Sequence, residues 1–513
     1  MKKYGKAFLI FTVLLQVLLS SSSALARNNT LDSLPEYTRH SMDLWQVPGL
    51  AMAVVQDGQV IFENGFGVTE VDAKGAVTPE TMFAIGSASK AFTVAALGML
   101  ADEGKLEWTA PVINYMPGFR LADPWVTRNI TLTDMLSHRT GLKGADILWI
   151  WNPGYLKRDD IISRMRFEPQ AMPFRAQWHY NNLMYLASGQ VIPAIEKRTW
   201  DAFIEERIFR PLGMDSSNTS VTSLEGMQDV AMPHFMEADR VARIPYRNID
   251  SIAPAGAINS NIKDMIQWLK LQLGCGSIDG KALIRPGTMQ AMRSPRISMP
   301  IPYPFAPFPG AHFLGYGMGW FLHDYHGVKV VEHGGNIDGM TAQVAMIPEI
   351  NIGLVILSNM NTTRIREVLM YYIFDRLMDR PVQDWNSHFK DLDRENLQRV
   401  QEAIEKKTGE RKTGTSPTLP LKEYAGPYHS HLYGDIVIRQ HEKQLTFTYQ
   451  DRGVPLMHWH YDSFQRPFYS IEDPGIELVT FRLSPEGSIE ALHDDVMGEF
   501  KKIVRPGKKV KKD

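Results

Sequence analysis

Residues 91–101 read Ala-Phe-Thr-Val-Ala-Ala-Leu-Gly-Met-Leu-Ala, a run without one charged side chain, and Gly104 follows soon after. Good helix formers dominate it and a glycine is a common helix stop, so the run predicts a helix. With no polar face, that helix has to be buried on most sides, so the rest of the chain must build a core around it. Directly before it stand Phe83-Ala84-Ile85-Gly86-Ser87-Ala88-Ser89-Lys90. Ser87 and Lys90 are three positions apart, so on a helix they share a face and their polar ends can meet. A serine hydroxyl needs a positioned base near neutral pH, and a desolvated lysine with a lowered pKa can serve. Backbone N–H groups at the helix start favour negative charge developing nearby. The opposing reading, a capping serine and a solvated lysine, loses ground because the apolar helix offers little solvated surface.

Two further segments carry chemistry. Trp178-His179-Tyr180-Asn181-Asn182 precedes a second apolar helix. In an extended segment Tyr180 and Asn182 face one cavity, where Tyr180 can relay the nucleophile's proton and Asn182 can hold a substrate amide carbonyl. The plain alternative is a core tyrosine and a helix-capping asparagine. Val328-Lys329-Val330-Val331-Glu332-His333-Gly334-Gly335-Asn336 is a β-branched strand that runs into glycines, which allow a ligand backbone to approach closely. The Asn336 N–H is a candidate oxyanion donor and His333 a candidate pocket wall, against the alternative of a turn with an incidental histidine.

The order of elements is strands, then helices, then strands. Residues 49–55 and 60–66 flank Asp57-Gly58, a strong hairpin signal. Helical patterns cover 133–137, 183–195, 200–209 and 262–273, and β periods return at 328–331, 341–347 and 352–357. Residues 391–420 turn charged and polar and end in Lys412-Thr413-Gly414-Thr415-Ser416-Pro417-Thr418, which reads as a linker. Short β segments at 435–439, 444–449, 456–460, 468–471, 478–483 and 489–492 then suggest a small antiparallel sandwich or barrel. At the N-terminus, Lys2, Lys3 and Lys6 precede an apolar stretch over 7–19 and a small-residue cleavage site at Ala24-Leu25-Ala26. This reads as a secretory signal peptide, with an uncleaved anchor as the alternative. The expected layout is therefore a signal peptide at 1–26, a catalytic domain at 27–390, a linker at 391–420, a β domain at 421–506 and a basic tail at 507–513. The product would be secreted or periplasmic.

Fifty-five Lys and Arg residues oppose 57 Asp and Glu, for a net charge of -2, so no global field recommends nucleic acid. The lone Cys275 has no disulfide partner within the chain. His458 and His460 share a strand face, as do His429 and His431, but two ligands do not make a metal site. Neither metal nor cofactor is expected. Partners reduce to a small-molecule or peptide acyl donor, with proximity to a cell wall or membrane surface left open by the basic tail.

Together, Ser87-x-x-Lys90, Tyr180-Asn181-Asn182 and His333-Gly334-Gly335, in that order, resemble the serine β-lactamase and penicillin-binding protein family, in particular its class C branch. Residues 130–142 and Pro254-Ala255-Gly256-Ala257-Ile258 are also similar to it, so the resemblance spans about residues 34–360. It implies an α/β (α+β) domain of the β-lactamase/transpeptidase type, an antiparallel sheet flanked by helices, with Ser87 as nucleophile. Lys90 and Tyr180 would share general acid–base work, and the Ser87 and Asn336 N–H groups would form the oxyanion hole. Asn182, His333, Gly334 and Gly335 would line the substrate site. The histidine in place of the family's Lys-Thr-Gly recurs among its D-peptidases and esterases, so a D-amino-acid-specific peptidase or carboxylesterase is expected. A β-lactamase and a non-catalytic cell-wall ligand sensor are the alternatives. The region from about 421 resembles the lipocalin-like domain that some members append.

Overall fold

The computed structural model describes residues 30–503 apart from 73–74, 152–153, 238–239, 302–307, 362 and 468–474. The proposed signal segment, the basic tail and the strand expected at 468–471 lie outside the described residues. The hairpin at Asp57-Gly58 forms, joining β1 (Gly49–Gln56) to β2 (Gln59–Gly67). Both turn residues take positive φ, 52° and 76°, as such a two-residue connection requires. The main sheet continues with β3 (Ile297–Met299), β4 (Leu314–Tyr316), β5 (Phe321–Tyr325), β6 (Val328–Ile337), β7 (Met340–Ile347) and β8 (Ile352–Ser358). Its spatial order is β2-β1-β8-β7-β6-β5-β4-β3, antiparallel throughout.

Helices α1 (Leu34–Trp45), α2 (Ser89–Asp102), α3 (Asn182–Gly189), α4 (Ile262–Leu273), α5 (Ile365–Leu377) and α6 (Trp385–Gly409) cover the two faces. Strand alternation divides the core: Ala51, Ala53 and Val55 of β1 pack with α2, α3 and α4, while Leu50, Met52 and Val54 pack with α1, α5 and the first turns of α6. A strand buried on both faces is why β1 reads as continuously apolar rather than alternating. As its sequence requires, α2 is buried at every position from 89 to 100. Phe92 stacks on Trp268 at 3.8 Å between ring centres, and each such buried ring contributes ~1.5–3 kcal/mol. The hydroxyl of Thr93 is satisfied within the core, donating to Pro254 O at 2.6 Å and accepting from Trp200 Nε1 at 3.0 Å.

The stretch read as a linker is in large part helical, since α6 runs to Gly409. Asp384 caps it by accepting from Ser387 N at 3.1 Å, and Trp385, Phe389 and Leu392 anchor its first turns. Beyond them the polar composition is itself helix-forming, with Gln398 donating to Glu402 and Gln401 to Glu405 one turn on. Propensity, rather than burial, turns these residues into a rod.

Strands β9 (Gly426–Ser430), β10 (Gly434–His441), β11 (Gln444–Tyr449), β12 (Arg452–His460), β13 (Ser463–Arg466), β14 (Glu477–Leu483), β15 (Ile489–Asp494) and β16 (Gly498–Lys502) close into a barrel. This resolves the open choice between sandwich and barrel. The barrel leans on residues of the first domain: Trp151 packs near Tyr449, Phe167 stacks on His431 at 5.1 Å, and Arg164 donates to Leu432 O at 3.2 Å. Apolar side chains of both domains belong to one continuous core cluster.

Candidate active site

Ser87 lies in a 3-10 turn, Gly86–Ala88, that leads into α2. The turn is tied down by its neighbour: Ser89 Oγ donates to Gly86 O at 2.7 Å and accepts from Ile258 N at 3.1 Å. Ser87 Oγ is thereby left out of the capping and faces a cavity of about 600 Å³. Strand β6 closes one side of it. Gly86 has φ 50°, and a Cβ there would lie within 3.0 Å of the Asn336 backbone; a Cβ on Gly335 would lie 1.9 Å from Ile85 O. Both glycines are therefore required for the Ser87 turn and the strand to touch. Pairing of β6 with β5 ends at Glu332, so from His333 onward that edge of the strand is open beside Ser87.

Lys90 is fully buried behind the serine. Its Nζ donates to Ser87 Oγ at 3.0 Å, Asn182 Oδ1 at 2.8 Å and Ala255 O at 2.7 Å. Burial disfavours the ammonium and brings its pKa down to about 7, while the charge of Asp146 pulls the other way. The Nζ also sits 4.7 Å from the centre of the Tyr180 ring. Burial pushes the Tyr180 phenol well above its ordinary value, against a hydrogen bond with Ser87 that lowers it, so the phenol is protonated at neutral pH.

The Tyr-x-Asn segment resolves the capping question by dividing the labour. Asn181, not Asn182, is the N-cap of α3, accepting from Met184 N at 3.1 Å. Asn182 is free to face Lys90 with Oδ1 and, with Nδ2, to donate to Asp146 Oδ2 at 3.0 Å. Trp149 Nε1 donates to the other oxygen, Asp146 Oδ1, at 2.9 Å. His138 fixes the backbone from below: its Nδ1 accepts from Asn181 N at 3.1 Å and its ring packs 4.4 Å from that of Tyr180.

His333 stands close to the same cluster but is not a cation. Its Nδ1 lies 2.6 Å from Gly334 O, an acceptor, so Nδ1 carries the proton and Nε2 accepts from Tyr316 Oη at 2.9 Å. Burial, with Lys90 adding to it, holds its pKa down at about 3. Gly334 and Asn336 line the cavity along with Ser87, Tyr180, Asn182 and His333, whereas Lys90 and Gly335 sit behind its wall. The residues expected from sequence are thus brought together. Missing from that set are Asp146, which lies four positions beyond the 130–142 stretch, and Tyr316, whose isolated place on β4 gives no signal. His138 stands within that stretch, without a role assigned to it. Among the described residues no group of three His, Cys, Asp or Glu side chains is placed to hold a metal ion. His458 and His460 are engaged separately, with Tyr461 O and Lys412 N.

The beta-lactamase family matches residues 36–377, and a family described as a domain of unknown function matches residues 410–505, which hold the barrel. An unguisins hydrolase of Aspergillus campestris is 30% identical over 446 residues, covering 81% of this chain and 79% of its own. Penicillin-binding protein 4 of Amycolatopsis lactamdurans is 27% identical, over 61% of this chain and 81% of its own. The octameric penicillin-binding protein homologue from Pyrococcus abyssi shares the fold, with a TM-score of 0.62 at 21% identity over 92% of this chain and 100% of that one.

Proposed function

The chain belongs to the beta-lactamase family of hydrolases, and from that premise we propose that it is a serine hydrolase of the class C type that forms an acyl-enzyme at Ser87. The observation that carries this reading is Lys90: a fully buried amine 3.0 Å from a cavity-facing hydroxyl, with a pKa of about 7. A neutral amine there takes the proton of Ser87 as Oγ adds to the substrate carbonyl. The N–H groups of Ser87 and Asn336 receive the developing oxyanion. Tyr180, protonated and beside both groups, passes a proton to the leaving amine or alkoxide as the carbonyl re-forms, and Lys90 gives the proton it took from Ser87 to the Tyr180 oxygen, so that the amine is neutral again. Water then adds to the acyl-enzyme, losing its proton to Lys90, and Ser87 leaves with a proton restored.

The acyl donor in this reading is a D-residue peptide or a small ester. A neutral His333 where β-lactamases present a cation argues against efficient recognition of a drug carboxylate, so β-lactamase activity is the weaker alternative. The lowered lysine pKa argues against a mere ligand sensor, which needs no activated nucleophile. The segment at 1–26 supports action outside the cytoplasm. Labelling with a fluorophosphonate probe followed by peptide mapping tests the proposal: an adduct on Ser87 supports it, and a protein that hydrolyses substrates without any adduct there overturns it.

A further inference from the structure

The charged residues lining the cavity are mostly paired with each other. Arg247 Nε donates to Asp338 Oδ2 at 2.5 Å, Arg366 Nε to Glu367 Oε1 at 3.1 Å, and Arg364 Nε to Asp393 Oδ1 at 3.0 Å. Glu332, raised to about 7 by burial, accepts from Gln343 Nε2 at 2.6 Å. Asp146 differs. Among the described residues it forms no ion pair, and its two hydrogen bonds come from neutral donors, Asn182 Nδ2 and Trp149 Nε1. A carboxylate has about four acceptor sites, so two remain, in a wall half exposed to the cavity.

Those two contacts also decide what chemistry that wall offers. The Asn182 amide presents its oxygen to Lys90 and one of its two N–H groups to Asp146, so a single N–H is left for a substrate carbonyl, beside a carboxylate with two open acceptor sites. The part of the cleft beside the nucleophile is therefore rich in acceptors: an incoming carbonyl oxygen meets a carboxylate, whereas an incoming ammonium meets the partner it lacks. Trp149 holds Asp146 in place while contributing, with Ile150, apolar surface to the same cavity.

Resting on the reading of Ser87 as nucleophile, we propose that Asp146 is a specificity-determining residue that receives a cationic amino group. The preferred acyl donors then carry a free amine next to the scissile carbonyl: amino-acid esters and amides, and the N-terminal residue of peptides. N-acylated residues are disfavoured because they bring a carbonyl where the amine should be.

The test compares D-alanine p-nitroanilide with its N-acetyl counterpart, in wild type, Asp146→Asn and Asp146→Glu. Wild type should favour the free amine in kcat/KM by at least tenfold. Asp146→Asn should lower that ratio at least tenfold, through KM for the free amine, and Asp146→Glu should restore part of it. A wild type that favours the N-acetyl substrate, or an Asp146→Asn that slows both substrates equally, overturns the proposal and leaves Asp146 as an orienting partner of Asn182. Fluorophosphonate labelling of each variant reports on Ser87 independently: an unlabelled wild type sinks the serine-hydrolase reading itself, whatever the ratio.

Discussion

The amide oxygen of Asn182 accepts a 2.8 Å hydrogen bond from Lys90 Nζ, and the amine's other two partners, Ser87 Oγ and Ala255 O, are also uncharged. Hydrogen bonds thus hold the amine in place while no ion pair compensates for removing an ammonium from water. Asp146, the charge that opposes the shift, reaches Lys90 across the intervening Asn182 amide.

From this follows a pH profile. Lys90 accepts a proton only when neutral, so kcat/KM should be low in acid, rise through an apparent pKa of about 7 and level above it. The amine is fully buried, so the pH of the rise should respond little to salt. Lys90→Ala should cost on the order of 10²–10⁴ in rate and abolish the rise. Tyr180→Phe should slow turnover but keep the rise, because the phenol is protonated throughout. Initial rates between about pH 5 and 9 check this, and a rise retained in Lys90→Ala would show that another base is at work.

Ser87→Ala should remove acylation and leave the fold intact. Ser89, not Ser87, holds the turn, and Lys90 keeps two of its three acceptors. A change in stability within ~1 kcal/mol is expected. Intact-mass spectra after substrate treatment should show an adduct on the wild type alone.

Ester and D-peptide hydrolysis should exceed cephalosporin hydrolysis in kcat/KM, since the third motif presents a neutral imidazole already engaged by Tyr316 and Gly334. Rapid cephalosporin turnover would show that a neutral His333 does not limit recognition of the drug.

Glu168 offers a stability measurement away from the chemistry. It is buried beneath the barrel contact, with Gly144 N donating to Oε1 at 2.6 Å, and burial raises its pKa to about 7. Since the folded state holds this proton more tightly than the unfolded chain, stability from this group is full below the unfolded value of ~4.3 and is lost as pH rises to about 7. Glu168→Gln should therefore gain on the order of 1–3 kcal/mol at about pH 8 and little at about pH 4. Melting curves at the two pH values decide, and an equal effect at both would rule out the carboxyl as the cause.

Most of the site was legible because it lies in short, contiguous motifs. Ser87 and Lys90 are fixed by one turn of helix, and Tyr180 and Asn182 by an extended pair. Which asparagine caps α3 was not legible, since Asn181 and Asn182 are chemically identical and only the backbone decides. Tyr316 reaches His333 through sheet pairing across β4, β5 and β6, a tertiary relation that no local spacing encodes. The helix at Trp385–Gly409 was hidden by its composition, because charged residues with high helix propensity look much like a solvated linker.

The pairing of β1 with β8 has a kinetic side. Val54 meets Leu354, so the hairpin made first from the ribosome keeps one bare edge until roughly 300 further residues have been synthesised. At ~5–20 residues per second that interval lasts roughly 15–60 s. Throughout it, Leu50, Met52 and Val54 lack α5 and α6, two of the three helices that cover them, and the strand presents unpaired N–H and C=O groups to any neighbouring chain. Production of this protein should therefore be limited by the yield of correctly closed sheets rather than by the endurance of the finished molecule, and slower translation with holding chaperones should recover more of it than any change made to improve its melting temperature.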